Sequence, residues 1–159
     1  MRHKATKRVE VRKIKLEERR STFREVSLGL SEEEVLIEAS RCLQCKKPAC
    51  QEGCPVHIDI PAFIKLITEK KYIEAALKIK EKNSLPAVCG RVCPKERHCE
   101  SRCILKIKGN PISIGYLERF AADYEAEHGM KKPKIPQKNG IKIAVVGSGP
   151  SGLTLAADL

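Results

Sequence analysis

At 159 residues the chain has room for one ordinary domain, or for a small domain and part of another. Aromatic residues are only 4% and tryptophan is absent, which argues against a large aromatic core; no apolar run approaches eighteen residues, which argues against a membrane span. The net charge is +11, and the charged first twenty residues lack the apolar stretch of a secretory leader.

Such a chain is expected in the cytoplasm with reduced thiols. Clustered cysteines there more often hold metal than form disulfides. A charged fraction of 32%, with only three Asn and three Gln, points to a thermophile, where intracellular disulfides also occur.

The N-terminal arm, residues 1–30, is basic. Residues 1–20 carry nine Lys or Arg against three Glu. It reads first as a solvated tail or an amphipathic helix, and second as a grip for an acidic partner or nucleic acid. No aromatic residue interleaves with its charges, so single-stranded nucleic acid is a poor fit.

Residues 31–127 carry mostly helical signal broken by cysteine loops. Ser31 and Glu34 form a capping-box pattern, and Val35, Leu36 and Ala39 share the face of the helix that follows. That helix would deliver Cys42 at its C-terminal end. Pro61 suits the first turn of a second helix, with Phe63, Ile64 and Ile67 inward. A third, from Tyr72 to about Asn83, places Ile73, Ala76, Leu77 and the stem of Lys80 on one side. A fourth, from Ser113 to about Glu127, aligns Ile114, Leu117, Phe120, Ala121 and Tyr124. Residues 128–140, with two Pro, two Gly and four Lys, read as a linker, and residues 141–159 begin something new.

All eight cysteines fall in two groups. The first is Cys42-x2-Cys45-x4-Cys50-x3-Cys54, followed by Pro55; the second is Cys89-x3-Cys93-x5-Cys99-x3-Cys103, with Pro94 after Cys93. Structural zinc sites usually use two short pairs, and only Cys42 and Cys45 have that tight spacing. Three ligands within nine residues, a remote fourth and a Cys-Pro step suit cubane [4Fe–4S] clusters better. In ferredoxin runs the cysteine before the proline serves the other cluster of a pair. Crossed ligation follows as a geometric expectation: Cys42, Cys45 and Cys50 on one cluster, Cys54 on the other, and one cysteine of the second group crossing back. That exchange would staple a thin core. The second group's spacing is not ferredoxin-like, so one of its members could be idle.

The run Ile143–Val146 precedes Gly147-x-Gly149-x-x-Gly152 and a helical start that contains Ala156 and Ala157. This is the strand–turn–helix context of a dinucleotide site, where glycines let the backbone approach a pyrophosphate at a helix N-terminus. One strand and one helix do not make a Rossmann sheet, so the chain reads as a fragment of a longer flavoprotein, not catalytic alone.

The paired cysteine groups, the helical region and the linker into VVGSGPSGL resemble the start of the glutamate synthase small (beta) subunit. The same module is found in dihydropyrimidine dehydrogenase and in the large subunit of NADH-dependent ferredoxin:NADP oxidoreductase. The resemblance covers about Ser31 to Leu159. It implies a mainly α fold: a helical domain with two [4Fe–4S] clusters, then the first strand, turn and helix of an α/β FAD-binding domain. It further implies hydride transfer from NAD(P)H to FAD and single-electron passage through the clusters to a partner. That partner would be a larger FMN-containing subunit, which in glutamate synthase reduces 2-iminoglutarate, or a ferredoxin-type protein. By the same resemblance Cys42, Cys45, Cys50 and Cys103 hold the first cluster, Cys54, Cys93 and Cys99 the second, and Gly147, Gly149 and Gly152 the FAD pyrophosphate. In dihydropyrimidine dehydrogenase a glutamine completes the second cluster within a segment similar to PISIGYLERF; Glu118 stands at that position here. Cys89 competes with Glu118 for the role, and Glu118 could equally be a helix glutamate paired with lysine.

His57, Asp59 and His98 lie near cysteines and could tune a cluster. Asp59 reads more simply as a helix cap, and the histidines as packed or surface residues. A different class of function also fits the residues: a zinc-stabilised binding module whose basic arm contacts nucleic acid or protein, with steeply salt-dependent affinity for nucleic acid.

Overall fold

The computed structural model describes residues 7–129 and 137–159; residues 1–6 of the basic arm and residues 130–136 of the linker lie outside the described residues. The described residues form seven α-helices: α1 (Glu32–Ser40), α2 (Ala49–Glu52), α3 (Ile60–Thr68), α4 (Tyr72–Lys80), α5 (Pro86–Val92), α6 (Ile114–His128) and α7 (Pro150–Asp158). The architecture is mainly helical. The one β-bridge among the described residues joins Lys13 to Ser27, so the apolar run Ile143–Val146 has no paired strand beside it.

Local chemistry sets the helix starts. The Ser31 side chain accepts from the Glu34 amide while the Glu34 carboxylate accepts from the Ser31 amide, closing the capping box of α1. Asp59 caps α3 by accepting from the Ala62 amide at 3.2 Å, and Pro61 occupies its first turn, where a missing N–H costs nothing.

The core lies where α1, α3, α4 and α6 meet. Val35, Phe63, Ile64, Ile67, Ala75, Ala76, Ile79, Leu117 and Ala121 are all buried there. The buried face of α4 is Tyr72, Ala75, Ala76 and Ile79, rotated from the face expected of Ile73, Leu77 and Lys80, which are half-buried. Aromatic contacts decide the phase. Tyr72 packs edge-on against Phe120 at 5.2 Å and Tyr124 at 4.8 Å, and its hydroxyl donates to Glu32 at 2.8 Å. Lys80 instead pairs its tip with Glu125 at 2.6 Å.

Helix α5 has no sequence-level forecast. Its seven residues, PAVCGRV, carry no repeating apolar face. It exists to cross α6 closely: a Cβ on Gly90 would lie 2.7 Å from Arg119 Cα and 2.9 Å from its amide nitrogen. Gly90→Ala is therefore expected to destabilise the fold by about 1–3 kcal/mol through overpacking, read as a lowered denaturant midpoint. An unchanged midpoint would show that the two helices can part without cost.

The arm is neither a solvated tail nor an amphipathic helix over residues 7–30. It doubles back: the Ile14 amide donates to Val26 and the Leu28 amide to Arg12, with Ile14 buried at the fold's edge. Its arginines find acids within the chain. Arg8 donates to Glu100 at 2.8 Å and to the Ser113 hydroxyl at 2.6 Å. Glu25 bridges Arg91 of α5 and Arg119 of α6, and these hydrogen bonds and charges hold its carboxyl below the usual range.

A candidate iron–sulfur centre

All eight cysteines are unpaired thiols. They do not gather as the sequence orders them. Cys42, Cys45, Cys50 and Cys103 line one cavity of about 630 Å³, walled by Ile60, Ile64, Ile112 and Ile114. Cys54, Cys89, Cys93 and Cys99 line a second, of about 170 Å³, together with Glu118, Lys95, His98 and Asn83. Cys54 and Cys103 have exchanged sides.

The elements explain the exchange. Helix α1 ends at Ser40 and presents Cys42 and Cys45 on the loop that follows; the single turn of α2 carries Cys50. The chain leaves α2 at Gly53, which lies against the opposite cysteine segment: a Cβ there would meet Arg102 Cγ at 2.7 Å and the His98 carbonyl at 2.9 Å. A turn with the His57 amide donating to Cys54 then directs Cys54 to the second cavity. On the other side α5 delivers Cys89 and ends at Cys93, and a 3-10 turn, Glu100–Arg102, separates Cys99 from Cys103.

The thiols perturb one another within each set. Burial, then the neighbouring Cys103 and Cys42, push Cys50 up to about 11. Burial also raises Cys42, with Cys103 and Cys45 adding to it. In the second cavity burial drives Cys99 strongly upward, helped by Glu100, Cys54 and Glu118. Burial raises Cys93 and Cys89 too, with Glu118 adding to both. Thiols raised in this way, at Cys42 and Cys50 in one cavity and Cys89, Cys93 and Cys99 in the other, suit a cationic iron core, because ligands bind metal as thiolates and the metal's charge offsets the cost of losing their protons. Among the described residues no three His, Cys, Asp or Glu side chains come close enough to share one metal ion.

Glu118 and Cys89 both reach the second cavity, and Asn83 touches both. Its amide Nδ2 donates to Glu118 Oε1 at 2.9 Å, and its Oδ1 lies 3.6 Å from Cys89 Sγ. Burial pushes the Glu118 carboxyl up to about 7, against the pull of Lys95 and of the Asn83 hydrogen bond. Glu118 pairs with no lysine within 4 Å among the described residues, so the exposed helix ion pair is not its role. Of the other residues singled out by sequence, Asp59 is a cap, His57 is exposed, and His98 is half-buried at the second cavity. Lys95 and Asn83 were not foreseen at the site. No spacing rule marks them, because the fold of α5 against α6 brings them there.

In the glycine turn Gly147 has φ of +104°, a conformation that side chains disfavour. Gly149 is the N-cap of α7 and opens to free space, while a Cβ on Gly152 would overlap the Gly147 carbonyl. The turn thus packs tightly on the helix start and leaves the backbone accessible.

Among relatives, the chain is 40% identical over 150 residues to the glutamate synthase [NADPH] small chain of Escherichia coli K12, a match covering 94% of this chain and 32% of that protein. It is 37% identical over 144 residues to the corresponding chain of Azospirillum brasilense, covering 89% and 30%. It is 42% identical over 122 residues to the NAD-dependent dihydropyrimidine dehydrogenase subunit PreT of Escherichia coli K12, covering 77% and 30%. The chain thus spans about a third of these relatives or less. No described helix is long and apolar enough to cross a membrane. Residues 19–130 match the family described as dihydropyrimidine dehydrogenase domain II, 4Fe-4S cluster, and with two cysteine-lined cavities inside that stretch, the chain belongs to this iron–sulfur family.

Proposed function

We propose that the chain is the electron-transfer module of an NAD(P)H-dependent flavoprotein oxidoreductase of the glutamate synthase small-subunit type, working in a reducing cytoplasm. Cys42, Cys45, Cys50 and Cys103 hold one [4Fe–4S] cluster; Cys54, Cys93, Cys99 and Glu118 hold a second. The observation that carries this reading is the sorting of eight cysteines into two cavities against their order in the chain. Such clusters supply one-electron carriage between a two-electron flavin donor and a distant acceptor.

The chain's own residues supply the rest. Ile60, Ile64, Ile112 and Ile114 give the first cavity an apolar wall that limits water access, and burial of this kind is one lever on a cluster's potential. Gly147, Gly149 and Gly152 shape the turn at α7 for an FAD pyrophosphate, and further chain would complete the FAD and NAD(P)H domains. The electron acceptor would be a larger FMN-containing subunit, as the glutamate synthase relatives suggest, or a ferredoxin-type protein.

Anaerobic purification with metal and sulfide analysis tests the reading. A brown chain with about eight irons and eight sulfides is expected; a colourless chain with stoichiometric zinc would overturn it in favour of a zinc-stabilised binding module.

The fourth ligand of the second cluster has its own test. Glu118→Gln is expected to change the paramagnetic resonance signal of that cluster and Cys89→Ala to leave it intact. The reverse pattern would make Cys89 the ligand.

A further inference from the structure

Lys95 is the only buried lysine among the described residues, 8% exposed. The buried arginines among the described residues have counter-ions: Arg41 pairs with Glu38, and Arg119 with Glu25 and Asp123. Lys95 makes no ion pair among the described residues; its ammonium donates to the Gly90 carbonyl. A buried charge without a counter-ion is costly unless an anion comes to it.

Its position is built. Lys95 lines the second cavity beside Cys93, Cys99 and Glu118. Gly115 makes the room: a Cβ there would overlap the lysine's Cδ, Cε and Nζ. The first cavity has no equivalent, since its cations Lys47, Arg102 and Lys106 are all exposed, where solvent screens them.

We propose that Lys95 is the fixed counter-cation of the second cavity and holds the cluster there at a higher reduction potential than it would otherwise have, while leaving the first cluster untouched. The inference rests on the two-cluster reading above. One-electron reduction adds one negative charge to the site, and a desolvated ammonium beside it favours the reduced form. Lys95 acts by position and charge; it is a positioning residue and no ligand.

Potentiometric titration of the iron-loaded chain, followed by paramagnetic resonance, tests this. The second cavity's signal is identified as the one lost in Cys99→Ala. In Lys95→Met, which keeps the aliphatic stem, its midpoint is expected to fall by about 59 mV or more, a tenfold loss in the one-electron reduction constant. The first signal is expected to stay in place. Gly115→Ala keeps the charge but fills its slot, displacing the ammonium from its present position. It is expected to lower the same midpoint, and it decides the matter if Lys95→Met does not retain its irons. Iron-loaded variants with an unmoved second midpoint would overturn the role of Lys95 alone, whereas a parent chain that takes up no iron would overturn the two-cluster reading itself.

Discussion

In Cys103→Ala the first cluster is expected to be lost and the second retained, so that iron falls from about eight to about four atoms per chain. Cys54→Ala is expected to do the opposite. Each substitution strips the cluster that its own sequence group does not build. The reason lies in the packing at Gly53. Because residue 53 has no side chain, the end of α2 can press against the His98–Arg102 segment. That contact places Cys103 beside Cys42 and Cys50 and sends Cys54 across to Cys93 and Cys99. Charge agrees with position: Cys103 is the neighbour that, after burial, raises Cys50 most, and Cys54 adds to the rise at Cys99. Iron and sulfide analysis with resonance spectra of the two variants reads the outcome. Loss of the second cluster in Cys103→Ala would overturn both ligand sets.

Glu38→Ala is expected to cost about 3–5 kcal/mol, a large part of the 5–15 kcal/mol typical of a domain. Glu38 is fully buried on α1 and joins three parts of the chain. Its Oε1 accepts from Arg41 at 2.6 Å and from the Ser113 amide at 2.8 Å; its Oε2 accepts from the Val9 amide at 2.9 Å. Removal leaves the Arg41 guanidinium, itself 3% exposed, with only the carbonyls of Asn110 and Pro111. It also orphans two backbone amides, at the arm and at the entry to α6. Denaturant midpoints of parent and variant at equal iron content give the comparison. A shift below about 1 kcal/mol, the range of surface pairs, would show that the knot is relaxed by water.

What the sequence revealed depends on where the information lay. Helix starts were legible at Ser31 and Asp59 because capping is local. The phase of α4 was not, because Ile73 and Leu77 compete with Tyr72 and Ile79 for the inward face, and Phe120 and Tyr124 settle it from forty-eight or more positions away. Buried carboxylates hid the arm's path: Glu38 and Glu100 look like surface residues in sequence, yet they anchor Val9 and Arg8. At the site, spacing and the Cys-Pro step separate Cys54 from the triple before it. Spacing alone does not say which cysteine crosses in return, since that depends on the turn between Cys99 and Cys103 and on the absent side chain at Gly53.

The walls of both cavities come from stretches far apart in the chain, and this has a consequence for synthesis. Cys103 follows Cys54 by forty-nine positions. At about 5–20 residues per second, the ribosome leaves the first four thiols without their counterparts for roughly 2–10 s. During that interval they lie outside any closed cavity, exposed to oxygen and to stray metal ions. The order of translation therefore makes the nascent chain most vulnerable just before it becomes able to enclose its cargo.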